Sequence, residues 1–181
     1  MLHITIPARE YYDEDANEFI QVKEQTLTME HSLISVSKWE AKWKKPFLSK
    51  NRKTEEEVLD YLRCMTIGKA PDPIVYRSIS KENVDEITAY IDDPMTATTI
   101  NDLSPKSGRQ RVVTSELIYY WMIAQNIPPE YEKWHLNRLM TLIRICSIEN
   151  NPNKKKMSRA EIARQNKALN AARRAKYGTK G

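Results

Sequence analysis

Leu2, Ile4 and Ile6 alternate with His3 and Thr5 before Pro7, the period-two pattern of a strand with one buried face. A second short apolar run, Phe19-Ile20-Gln21-Val22, follows the acidic stretch Asp13-Glu14-Asp15. Thr26-Leu27-Thr28-Met29 and Leu33-Ile34-Ser35-Val36-Ser37 then flank Glu30-His31-Ser32. Read as two strands they make a hairpin, with Leu27 and Met29 on one face and Ile34 and Val36 on another. Residues 1–37 are therefore expected to be strands.

Beyond residue 37 the period lengthens. Trp39 and Trp43 stand at i and i+4, on one face of a helical turn or two that Pro46 stops. Thr54-Glu55-Glu56-Glu57 has the capping-box spacing and opens a helix with Val58, Leu59, Leu62 and Met65 on one stripe, ending near Gly68. A further helix is expected from about Asn83 to Asp92 behind Ser80, with Val84, Ile87, Tyr90 and Ile91 inward and Pro94 as a stop. Residues 95–111 are polar and read as a loop, or a short strand at Ala97–Ile100.

From Val113 the chain is apolar almost continuously through Leu117-Ile118-Tyr119-Tyr120-Trp121-Met122-Ile123, and again on most faces from Tyr131 to Ile148 after Pro128-Pro129. Such helices belong in a core or a subunit interface, and the Pro-Pro break suggests an αα-hairpin. Ser158-Arg159-Ala160-Glu161 repeats the capping box and opens an Ala-rich helix to about Lys176, whose larger apolar side chains are only Ile162 and Leu169. That stripe is too thin to hold the helix in a core, so it should project or dock on a partner. The fold expected is α+β, mainly helical, with an N-terminal β-hairpin or small sheet and a C-terminal basic helix.

Charge divides the chain. Of 29 Lys/Arg and 24 Asp/Glu, ten basic residues and one acid, Glu161, lie in 154–181, which leaves 19 basic and 23 acidic residues in 1–153. An acidic compact domain of −4 (strands 1–37, helices 38–150) thus carries a basic helical extension of +9 at 154–181. Opposite fields on one chain favour head-to-tail contact between copies or contact with a polyanion. The length of 181 residues suits one domain with an appendage, and a mean hydropathy of -0.66 agrees with a well-solvated chain. No run is long enough to cross a bilayer and the start lacks a Sec-type leader, so a reducing cytosol is expected for Cys64 and Cys146.

Four glycines cannot build a phosphate-cradling loop. His3, His31 and His135 stand at no metal-ligand spacing with Cys64 or Cys146, so no metal or cofactor is expected. His135 and Cys146 lie eleven positions apart on one predicted helix, too far to act as a nucleophile pair. The acids Glu55, Glu56 and Glu57 sit where they complement a helix dipole, and Asp92 and Asp93 at a helix end. No catalytic residue is expected. Trp39 and Trp43 beside Lys42, Lys44 and Lys45 could stack bases, although most such pairs are half-buried packing with solvated lysines around them. The basic residues of the extension fall all round its helix, which suits nonspecific polyanion contact or solvation.

Ser37-Lys38-Trp39-Glu40-Ala41-Lys42-Trp43-Lys44-Lys45-Pro46-Phe47-Leu48, Glu116-Leu117-Ile118-Tyr119-Tyr120-Trp121-Met122, Trp134-His135-Leu136-Asn137-Arg138-Leu139-Met140, Lys155-Lys156-Met157-Ser158-Arg159 and Ala168-Leu169-Asn170-Ala171-Ala172-Arg173-Arg174 occur in this order. Together they resemble the tail assembly chaperones of long-tailed bacteriophages, over most of residues 25–181. The resemblance implies a non-catalytic protein of the host cytoplasm that binds the tape-measure protein, helps tail-tube subunits polymerise around it, and self-associates. Expected partner-binding residues are Trp39, Trp43, Ile162, Leu169, Arg173 and Arg174. Two alternatives stand beside this: a nucleic-acid-binding protein using 154–181, and a structural component retained in the virion tail or neck.

Overall fold

The computed structural model describes residues 1–13, 17–100, 112–150 and 159–178. Strand β1 (Leu2–Ile6) pairs antiparallel with β4 (Gln25–Met29), and β2 (Arg9–Asp13) with β3 (Glu18–Val22). Ile6 faces Gln25 and Arg9 faces Val22, so one register runs through both ladders and they form a single ribbon interrupted at Pro7. Proline has no N–H to give the ladder, which is why the pairing breaks there. Leu2, Ile4 and Ile6 are buried and His3 and Thr5 exposed, as the alternation requires. On the outer face His3 pairs with Thr28 and Thr5 with Thr26 through their side chains, at 3.1 and 3.3 Å.

The partner of β4 is thus β1, not residues 33–37. Those residues begin helix α1 (Leu33–Trp43), whose N-cap Ser32 accepts a hydrogen bond from the Ser35 N–H. Leu33-Ile34-Ser35-Val36 fits a strand period and a helix period alike. Burial decides for the helix, since Leu33, Val36, Trp39 and Glu40 are covered while Ile34 is only half-buried. Lys44 ends α1 in the left-handed region (φ 55°) two residues before Pro46.

Helix α2 (Glu55–Met65) opens on the expected capping box, Thr54 Oγ1 accepting from Glu57 N–H and Glu57 Oε2 from Thr54 N–H. After α2 the Ile67 N–H donates to Thr28 O at 2.8 Å and the Glu30 N–H to Met65 O at 2.9 Å, an isolated antiparallel bridge between Met29 and Thr66 beside the ribbon. A short helix α3 (Pro73–Arg77) was not apparent from periodicity; Asp72 caps it and Pro73 stands in its first turn. Helix α4 (Lys81–Asp92) is capped by Ser80 as expected. No strand forms at 97–100, and residues 101–111 lie outside the described ones.

Helices α5 (Ser115–Ala124) and α6 (Leu136–Glu149) are joined by a connection with a 3-10 turn at Pro129–Lys133. They are not an antiparallel hairpin: Asn150 after α6 donates to the Gln125 side chain after α5, at 2.7 Å, so their C-terminal ends meet. The connection carries the chain back, with Ile127 buried and Tyr131 stacked on Trp134 at 4.0 Å, where a hairpin turn of about 2–5 residues could not. Helix α7 (Arg159–Tyr177) lies in the basic extension; its proposed cap at Ser158 and the rest of 154–158 are outside the described residues.

The core gathers Ile4, Ile6, Leu27 and Met29 from the ribbon with Val36 and Trp39 of α1, Leu62 and Met65 of α2, Ile87 of α4, Ile118 of α5 and Leu136 and Leu139 of α6. The protein is therefore α+β, mainly helical, with a two-stranded antiparallel ribbon at the N-terminus. Among the described residues no helix is long and apolar enough to cross a membrane.

Candidate functional site

Four segments distant in sequence converge on two histidines. His31, between β4 and α1, meets the Tyr61 hydroxyl of α2 through Nδ1 at 2.5 Å, and its ring lies edge-on to that of His135 at 5.1 Å. His135 caps α6: Nδ1 accepts from the Asn137 N–H at 3.3 Å, which leaves the proton on Nε2 to donate to Tyr90 O at 2.9 Å. The Tyr90 hydroxyl donates to Glu30 Oε1 at 2.6 Å. Burial, with His135 beside it, pushes His31 down to about 4, and burial pushes both Tyr61 and Tyr90 well up. Near neutral pH His31, Tyr61 and Tyr90 are thus uncharged. Nothing in the sequence pairs His31 with His135; only the approach of α6 to the β4–α1 corner does, where the Leu136 N–H donates to His31 O.

This arrangement makes stability depend on acid in a defined window. The unfolded chain takes up a proton near pH 6.5 while folded His31 resists until about 4, so stability is complete above 6.5 and drains as pH falls between those values. The expected loss is about 3 kcal/mol. Urea midpoints measured across that window check it, with His31→Gln expected to flatten the slope by about one proton.

Beside the histidines lies a cavity of about 720 Å³ bordered by Glu30, Lys38, Cys64, His135 and Arg138. Its lining includes a thiol and an imidazole. Burial, first, and Asp60 push the Cys64 thiol up, so it is held protonated, and both ring nitrogens of His135 are engaged by backbone groups. Lys38, Arg63 and Lys42 pull the other way but are outweighed, so the thiol is not activated as a nucleophile. Among the described residues no three His, Cys, Asp or Glu side chains come together as a metal-binding set.

The tryptophans expected at a partner surface are placed differently from that expectation. Trp39 is buried, its indole N–H donating to Glu57 O at 2.8 Å and its ring edge-on to Phe47 at 5.2 Å, so it has no face to offer a base or a protein. Trp43 is half-buried, and its N–H donates to Asp60 Oδ2 at 2.9 Å. The ammonium groups of Lys42 and Lys45 lie over the Trp43 ring at 5.2 and 5.9 Å and are paired with Asp60 and Glu57. The pair therefore locks α1 to α2. On α7, Arg173 and Arg174 are exposed and Leu169 is half-buried, while the Ile162 side chain lies outside the described residues.

Among the described residues, two of the apolar surfaces left open bear on binding. Helix α5 buries Ile118 and Met122 but leaves Tyr120 and Ile123 exposed at 62% and 75%. Between α2 and α4 runs a groove of about 880 Å³, walled by Val58, Leu59 and Leu62 on one side and Val84, Ile87 and Ile91 on the other. Val58 and Val84, placed inward by periodicity, stand exposed at 44% and 45% on its rim. Periodicity finds an apolar stripe but not whether another element covers all of it. Comparisons with family models, with curated proteins and with solved structures find no match to this chain.

Proposed function

We propose that this chain is a non-catalytic protein-binding factor of bacteriophage tail assembly, engaging the tape-measure protein, the tail-tube protein or both in the host cytoplasm. The observation that carries the protein-binding part is the outward face of α5, where Tyr120 and Ile123 are exposed one turn apart on a helix whose other face is core. Large apolar side chains clustered on a surface mark docking sites, and covering them returns about 25 cal/mol per Å². A long helical partner with its own apolar stripe suits such a face. The tail-assembly part rests on the resemblance described above.

A second reading has its own observation. Arg164, Lys167, Arg173 and Arg174 are exposed on α7, and a basic helix of this kind attracts nucleic acid by counterion release. Burial of Trp39 removes half of the base-stacking pair that would have joined it.

Co-purification with the tape-measure protein separates the two. Tyr120→Asp with Ile123→Asp should lower recovery roughly tenfold or more while leaving the melting temperature nearly unchanged, since both side chains are already exposed. Undiminished recovery would reject α5 as the docking face. Tight DNA binding that weakens steeply with salt and disappears when the four α7 cations become glutamate, without tape-measure binding, would favour the second reading. Presence of the chain in finished tails would make it a retained component of the virion.

A further inference from the structure

We infer that the groove between α2 and α4 is the receptor for helix α7 of a second copy of this chain, so that copies join head to tail. Among the described residues, none of α7 lines the groove. The inference concerns contact between copies and does not depend on what α5 binds.

Charge complementarity selects the occupant. On the α2 wall Glu57 and Asp60 are already paired with Lys45 and Lys42, but Glu55 and Glu56 stand at one end of the groove. Of the acids on α4, Asp85 and Asp92 stand exposed next to the lining residues Val84 and Ile91, while Glu82 and Glu86 fall on the opposite side of the helix. Arg77 and Lys81 oppose them and are outnumbered. Helix α7 carries Arg159, Arg164, Lys167, Arg173, Arg174 and Lys176 against the single acid Glu161. An acidic-rimmed apolar trough and a basic helix with a thin apolar stripe are each incomplete alone.

The spacing agrees as well. Ile162 and Leu169 of α7 are seven positions apart, two helical turns or about 10 Å. Val84 and Ile91 on the groove wall are separated by the same seven positions. A helix laid along α4 therefore sets its two large apolar side chains beside the two ends of the wall. Two large apolar residues contribute a modest area, so charge should supply much of the attraction and salt should weaken it.

A contact in which one surface of each copy meets a different surface of the next does not close on itself in a dimer; it builds rings or open chains. This gives the test. Sedimentation of the nuclease-treated full chain should show an average mass that rises with concentration and falls at high salt, with the apparent dissociation constant rising roughly tenfold or more. A groove-blocked chain, Val58→Lys with Val84→Lys, and a helix-blocked chain, Ile162→Asp with Leu169→Asp, should each be monomeric with native melting curves. Mixed in equal amounts they should give a one-to-one dimer and nothing larger, because one still offers a helix and the other a groove. A wild-type chain that stays monomeric at all concentrations overturns the inference, as would α7 docking within its own chain. So does association that survives either pair of substitutions, association that vanishes with nuclease, or a mixture that forms no dimer. None of these outcomes touches Tyr120 or Ile123, so failure here leaves the α5 reading standing and failure there leaves this one.

Discussion

A Leu139→Asp chain is expected to show no cooperative thermal unfolding. Leu139 is fully buried on the face of α6 that also presents Leu136 and Ile143 to the core. The substitution removes a large aliphatic contact, about 2–5 kcal/mol by analogy with truncation, and puts in its place a carboxyl group with no polar partner. A domain of this size has about 5–15 kcal/mol in all, so the two losses together approach the whole. Circular dichroism melts check it, with the exposed Ile123→Asp as the comparison that should melt within a few degrees of the parent. A native-like Leu139→Asp melt would mean that α6 is not a core helix.

Glu40→Ala is expected to cost about 4 kcal/mol, more than its single charge on a helix would suggest. Its carboxylate is buried and accepts two backbone hydrogen bonds, Oε1 from the Phe47 N–H and Oε2 from the Ser115 N–H, both at 2.7 Å. The first holds the turn after α1 in place, where Phe47 packs on Tyr61 at 4.0 Å. The second sits at the first residue of α5, where a carboxylate also favours the positive end of the helix dipole. Alanine leaves two N–H groups unpaired at about 1–3 kcal/mol each. Glu40→Gln, whose amide has only one acceptor oxygen, should lose about half as much. Chemical denaturation gives both values. Because α5 is then anchored at one end only by its own Thr114 cap, the same variant should also bind partners poorly through Tyr120 and Ile123.

The first effect follows from the apolar run after Pro128-Pro129, which reads as core in the sequence; the second could not have been placed there. Glu40 reads there as a solvated acid between two tryptophans, and its partner Ser115 is seventy-five positions away. The same holds for His31 and His135, which seem scattered until α6 closes on the β4–α1 corner. The two helices after Val113 illustrate a subtler failure: their apolar residues were recognised as core, but their mutual direction depended on how far the connection 125–135 runs back, which composition does not encode. Trp39 and Trp43 were seen to share a helix face; that the face turns toward α2 was not.

Features closed within a few residues were legible: the alternation of Leu2, Ile4 and Ile6, the Thr54–Glu57 capping box, the Ser80 cap of α4 and the helical course of the basic extension. Each depends on hydrogen bonds or side-chain periodicity inside one segment, so neighbouring residues are enough to specify it. The start of α1 shows the boundary, since Leu33-Ile34-Ser35-Val36 satisfies two periods and only the burial supplied by other elements chooses between them. Which apolar faces stay open, at the α2–α4 groove and on α5, is settled by the packing of segments far apart in the chain. An apolar side chain carries no mark saying whether its partner lies in the same molecule, and that is decided when the elements have taken their places.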